Sequence, residues 1–158
     1  MIYLIGCFLL VCVCCRKVTS LYRLPHTYMY KTHLKGFSFK AEYLELRKSG
    51  LLIIPKGYVW DGCSFTFSFL DLFTFGTPEG RIHFKTGKPV TYYASLVHDA
   101  LYQYHHEIGI SKKVADQLFL KMLNKEKYPL ARVYYLALRT YNTATYILTS
   151  IKDYFWRF

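Results

Sequence analysis

The sequence predicts an α+β fold: a small N-terminal β-rich part packed on an antiparallel helical hairpin and a long C-terminal helix. Three observations carry that expectation. Residues 37–60 hold short alternating or apolar runs cut by Gly50 and Pro55, the pattern of strands separated by turns. Residues 91–125 hold two stretches with apolar residues at helical spacing, joined by a short connection at Gly109, and short connections favour antiparallel neighbours. Pro129 then opens a third helix reaching almost to the C-terminus, a position where proline is tolerated.

The 158 residues are the length of one domain and suffice to bury a core. Apolar residues make up 53% and aromatic residues 19%, which excludes a disordered chain. Lys and Arg outnumber Asp and Glu by 21 to 10, giving +11. Such a surplus favours phosphate-bearing partners, a phospholipid membrane surface or nucleic acid; a solvated basic surface is the plain alternative. No run of five or more basic residues occurs, which argues against a dedicated nucleic-acid tail. Of five cysteines, Cys7, Cys12, Cys14 and Cys15 lie in the N-terminal segment and only Cys63 in the body. The body therefore folds without an internal disulfide framework, and no zinc-finger Cys pair is present.

Taken in order, residues 1–17 are an apolar segment ending at Arg16-Lys17. As a helix, Ile2 to Cys15 would reach about 21 Å at roughly 1.5 Å per residue, short of a hydrocarbon core of about 30 Å. It lacks the basic start and the small-residue cleavage site of a secretory signal. Two readings stand: a membrane anchor helped by acylation of the cysteines, which makes the protein membrane-associated, or a start at Met29, which places it in a virion or host cytoplasm. Residues 18–36 read as a linker and residues 37–158 as a single domain. "FSFKAEYLEL" alternates as one half-buried strand and "LLIIP" as a second, ended by Pro55. Asp61-Gly62 supplies turn chemistry. Residues 65–80 are Phe-rich and read as an irregular loop, and "RIHFKTGKPV" as a small hairpin around Thr86-Gly87. The helices follow, from about Thr91 to His105, from an N-cap at Ser111 to about Lys125, and from Pro129 onward.

Inside the first helix "LVHDALYQ" places His98 and Asp99 in an apolar pattern, and Asp116 interrupts the second in "VADQLF". His98 and Tyr102 are four apart and share a face, whereas Asp99 is turned roughly 100° around the helix and points elsewhere. Antiparallel packing sets Asp116 opposite His98. An imidazole held by a carboxylate is suited to act as a general base toward water. Asp99, with Asp61 arriving from the loop, offers hard oxygen ligands for calcium, whose charge polarises a carbonyl. The plain alternative is a common dipeptide, with Asp116 solvated on an amphipathic helix. His98 and His105, seven apart, are a weaker pair of metal ligands. Arg132, Tyr135, Arg139 and Tyr146 form a stripe suited to a lipid surface or, for the aromatics, to core packing. No G-x-S-x-G, P-loop or dinucleotide fingerprint is present, so no organic cofactor is expected.

"HDALY" followed by "ADQLF" resembles the His-Asp-x-x-Tyr and Ala-Asp-x-x-Phe pattern of phospholipase A2 domains, most of all the compact viral and prokaryotic forms. The larger arrangement of "IPKGYVWDGCS", "SLVHDALYQ" and "VADQLFLKML" also resembles a domain-of-unknown-function family of short phage and bacterial proteins, over roughly residues 37–145. The phospholipase resemblance implies that His98 is the base, Asp116 its partner, Tyr102 a supporting donor, and Asp99 with Asp61 the calcium ligands. The glycine-rich calcium loop and the disulfides of secreted forms have no counterpart here. The resulting expectation is a calcium-dependent, phospholipase A2-like esterase acting on phospholipid. The alternative is a non-catalytic phage accessory or virion protein in which the same residues form a structural hydrogen-bond network.

Overall fold

Strands in the N-terminal half are short because turns interrupt each apolar run. In the computed structural model, which describes residues 22–63, 66–69, 73–76, 81–140 and 143, β1 (Tyr22–Arg23) pairs antiparallel with β6 (Val59–Trp60). β2 (Tyr28–Lys31), β5 (Leu51–Ile54), β4 (Glu45–Leu46) and β3 (Phe39–Lys40) lie in that order in an antiparallel four-stranded sheet. Successive side chains of a strand face opposite sides, and this sheet buries Leu46, Leu52 and Ile54 on its inner face. Gly50 makes the turn into β5 possible. Its φ is +83°, and a Cβ there would lie 2.9 Å from the Thr32 carbonyl oxygen. That close approach lets the Thr32 amide and hydroxyl both donate to the Gly50 carbonyl at 2.8 Å.

Three sequence expectations change here. Residues 22–36, read as linker, instead supply β1 and β2, and Leu24 is buried in the core. Their basic, weakly periodic composition hid strands too short to show alternation. "FSFKAEYLEL" is two strands rather than one. The Ala41 amide donates to the Leu44 carbonyl at 2.8 Å, turning the chain so that Leu44 is wholly buried. The Phe-rich stretch read as an irregular loop contains β7 (Thr66–Phe69) and β8 (Phe73–Gly76), paired antiparallel. Its Thr-Phe-Ser-Phe alternation carried the signal. The small hairpin is present, closed by the Ile82–Pro89 bridge and by the His83 amide donating to the Lys88 carbonyl at 2.8 Å.

The helices are α1 (Tyr92–Gln103), a single turn α2 (His105–Ile108) and α3 (Lys112–Lys125), followed by α4 over residues 131–140. α1 stops short of His105. The chain then turns through Gly109, whose left-handed φ of +78° lets its amide reach the His105 and His106 carbonyls. Ser111 precedes α3 in extended backbone as expected, but its side chain makes no capping bond. α1 and α3 run antiparallel. Tyr102 meets Lys112, His98 meets Asp116, and Ala94 and Met122 line one cavity, so one number falls as the other rises.

The β1–β6 pair, the four-stranded sheet and the helices share one core, and Trp60 ties them together. Its indole N–H donates to Ser95 Oγ at 3.2 Å, and its ring meets Tyr92 edge-on at 4.8 Å. On α4, Ala131, Tyr134 and Leu138 face the core while Val133 and Leu136 are exposed, the spacing of one helix face. Cys63 is buried in the core. No helix among the described residues is long and apolar enough to cross a membrane. The apolar segment 1–17, Tyr146 and most of the expected helix beyond residue 140 lie outside the described residues.

Candidate functional site

Antiparallel packing of α1 on α3 sets His98 against Asp116, His98 Nε2 lying 2.9 Å from Asp116 Oδ1. Asp116 is fully buried, and its second oxygen accepts from Arg139 Nη1 on α4 at 3.1 Å. A carboxylate out of water must be paired to remain ionised. Asp116 meets that need with two cationic or hydrogen-bonding partners on two different helices.

The other ring nitrogen is engaged as well. His98 Nδ1 lies 3.1 Å from Asp99 Oδ1, which corrects the expectation that Asp99 points elsewhere. The roughly 100° step between neighbours separates their Cα–Cβ bonds, but the short Asp99 side chain bends back onto the imidazole. Asp99 in turn interacts with Asp61 by a side-chain hydrogen bond. Asp61, Asp99, His98, Asp116 and Arg139 thus form one continuous polar line. Its middle is dry and it reaches solvent on both sides: the Asp116 side chain is 0% exposed, whereas those of Asp99 and Arg139 are 26% and 33% exposed.

Tyr102 packs its ring on His98, with centroids 5.0 Å apart, and the Lys112 ammonium sits 4.7 Å above the tyrosine. Phe119 covers the imidazole from α3 at 5.4 Å. Two helical positions, Tyr102 and Phe119, therefore flank the ring. Tyr58 donates to Gln103 Oε1 at 3.3 Å, and it feels the negative charge of Asp99 and Asp61. His105 Nδ1 donates to the Tyr102 carbonyl at 2.8 Å, and its ring lies against those of Tyr102 and His106.

The electrostatics separate the two edges of the imidazole. Burial pushes the His98 pKa down, but hydrogen bonds to Asp116 and Asp99 and their charges outweigh it, and the net shift is upward. Burial pushes Asp99 up, the His98 contact opposes it, and the neighbouring Asp61 adds to the rise. Two groups with raised affinity share the Nδ1 edge, so a proton there belongs to either an imidazolium or an Asp99 carboxylic acid. Such coupled groups titrate as a pair. At the Nε2 edge, Asp116 is held by Arg139 and keeps its N–H in place.

As a calcium site, Asp61 and Asp99 supply the right donor chemistry. Two carboxylates in contact need a proton or a cation between them. They fall short of the six to eight oxygens calcium takes, and no group of three or more His, Cys, Asp or Glu suited to a metal occurs among the described residues.

The five residues singled out in the sequence are thus contiguous, and one partner was missed as such. Arg139 had been read as part of a surface or packing stripe. Its signal was only that a buried carboxylate needs a cation, which identifies no position on α4.

A model of the family described as "Protein of unknown function (DUF1353)" matches residues 37–138. The chain belongs to that family. The DUF1353 match contains Asp61, His98, Asp99, Tyr102 and Asp116, and ends one residue before Arg139. β1 and β2 lie outside the matched DUF1353 region. No curated protein and no solved structure matches the chain.

Proposed function

We propose that this DUF1353 chain is a phospholipase A2-like hydrolase of phospholipid esters in which His98 is the general base. The observation that carries the reading is the asymmetric pairing of the imidazole. Nε2 is fixed 2.9 Å from a buried Asp116, while Nδ1 faces the solvent-accessible carboxylate of Asp99. A base needs one nitrogen locked and the other able to exchange a proton.

Asp116, held by Arg139, fixes the tautomer and balances the positive charge that appears on the ring as it takes a proton. Tyr102 and Phe119 hold the imidazole plane. Asp99 covers Nδ1 at rest, and its rotation toward Asp61 uncovers the nitrogen for water. His98 then accepts the water proton as the oxygen attacks the ester carbonyl, and the ring later returns the proton to the leaving alcohol. Calcium held by Asp61 and Asp99 would supply positive charge to polarise that carbonyl and keep the Asp99 carboxylate turned off the ring. Membrane association is part of this proposal, since the substrate is a lipid surface and the chain carries +11.

A second reading has its own support. Both nitrogens of His98 already have carboxylate partners, as befits a structural network in a non-catalytic phage accessory or virion protein. Fatty-acid release from phospholipid vesicles separates the two. The hydrolase reading expects release that depends on calcium, disappears with chelator, and falls about 10²- to 10⁴-fold in His98→Ala. Asp99→Asn should likewise abolish release. Folded protein that releases no fatty acid, with or without calcium, leaves the structural reading.

A further inference from the structure

We infer that the hairpin over residues 81–90 is a docking finger for an anionic lipid surface. At its tip Phe84 is fully exposed (101%), and Ile82 is 61% exposed. A structured loop that leaves a whole phenyl ring in water forgoes its hydrophobic transfer energy unless an apolar phase receives the ring.

The tip is built to stay out. The His83 amide donates to the Lys88 carbonyl, the Thr86 and Gly87 amides both donate to the His83 carbonyl, and the Val90 amide donates to the Arg81 carbonyl. Gly87 takes a φ of +60° to close the turn. These bonds hold the turn with Phe84 projecting into water.

Charge around the ring selects the occupant. Arg81 and Lys85 flank the tip in exposed positions. Lys88 directs its ammonium to the Tyr92 ring at 5.2 Å, nearer the base. A collar of cations behind an apolar point matches the negative surface and hydrocarbon interior of a membrane in the right order of depth.

The base of the hairpin continues that gradient. It borders a cavity of about 230 Å³ lined by Tyr28, Tyr30, Tyr93, Lys125 and Glu126, together with the hairpin's His83, whose Nε2 lies 3.6 Å from the Glu126 carboxylate. Tyr28 stacks on Tyr93 at 4.6 Å and lies parallel to Tyr30 at 6.5 Å. Tyrosines of this kind, apolar in the ring and polar at the tip, are the side chains that settle at headgroup depth. Phe84 would enter the acyl region while the tyrosines and Lys125 meet headgroups. The inference draws its purpose from the phospholipid reading, but its observations are those of the hairpin alone.

The test uses the full chain and vesicles of ether-linked phosphatidylglycerol and phosphatidylcholine, which contain no ester to cut. In Phe84→Trp, the emission of the introduced indole, after subtraction of the wild-type signal, should shift to the blue on adding vesicles. Brominated acyl chains should quench it. Phe84→Ala should weaken vesicle binding about tenfold, and Lys85→Gln about fivefold, with unchanged thermal melts. An introduced indole that stays water-like beside bound vesicles overturns the inference, as does unchanged affinity in Phe84→Ala. Blue shift on adding a DNA duplex, without any on adding vesicles, assigns the finger to nucleic acid instead and overturns it too. Because no hydrolysis is read, absent esterase activity leaves this result untouched, and esterase activity with a water-exposed indole refutes the finger alone.

Discussion

Two stretches of the α1–α3 pair, one helical turn apart, use opposite physics. Around His98 and Asp116 the helices enclose ionisable groups, each with a partner. Around Ala94 and Met122 they enclose apolar side chains beneath a tyrosine-lined cavity, and the adjoining hairpin projects Phe84 into water. The first region hides charge and the second displays apolar surface. Neither arrangement is what hydrophobic burial alone would choose.

That contrast predicts very unequal costs of substitution. The largest belongs to Asp116. Removing it in Asp116→Ala leaves His98 and Arg139 without their carboxylate, which should destabilise the fold by about 3–5 kcal/mol in urea denaturation. Asp116→Asn, which keeps the shape, should lose less. Equal and small losses in both would mean that the network is weaker than its geometry.

Gly50→Ala comes next. The positive φ and the 2.9 Å approach to the Thr32 carbonyl oxygen should cost about 1–3 kcal/mol, and should loosen β2 from β5 without altering the chemistry at His98. Hydrogen exchange at the β2 amides would report it.

The pH dependence sharpens the comparison further. His98 and Asp99 both bind a proton more tightly in the folded protein, so each contributes stability at low pH that is lost as pH rises. For Asp99 the loss begins above its unfolded value near 4, and for His98 above its unfolded value near 6.5, each continuing through the raised folded value. Stability should therefore decline from about pH 4 upward through Asp99 and further above about pH 6.5 through His98, and His98→Gln should flatten the upper part of that decline. Urea midpoints measured across this range would check it.

The smallest effect is at the finger. Phe84→Ser touches no packed neighbour and should change stability by no more than about 0.5 kcal/mol. A large loss there would show that the ring is packed in solution, and the contrast between the two regions would collapse.

How much of this was legible in the sequence follows from how local each signal is. The helical hairpin and the His98–Asp116 contact were readable because spacing and a short connection fix antiparallel register. Pairing Asp61 with Asp99 rested on donor chemistry and on resemblance rather than on spacing, since β7, β8 and the small hairpin lie between them. The bend of Asp99 onto Nδ1 was not readable, because it depends on a rotamer rather than on spacing. Arg139 was hidden for the reason that any basic residue on α4 could have met Asp116. At the N-terminus, two-residue strands such as β1 carry no periodicity, so a folded segment looked like linker. A chain beginning at Met29 would lack β1, the buried Leu24 and the Tyr28 ring stacked on Tyr93, and should melt lower than a chain that retains them.

The central claim is that the two nitrogens of His98 do different work. Nitrogen-15 NMR of the imidazole, recorded against pH with and without calcium, tests it directly. The account predicts that Nε2 stays protonated toward Asp116 throughout, while Nδ1 alone titrates and shifts when calcium is added. If both nitrogens keep their protons up to the pH of unfolding, and calcium moves neither, His98 is a structural clamp and the proposed base does not exist.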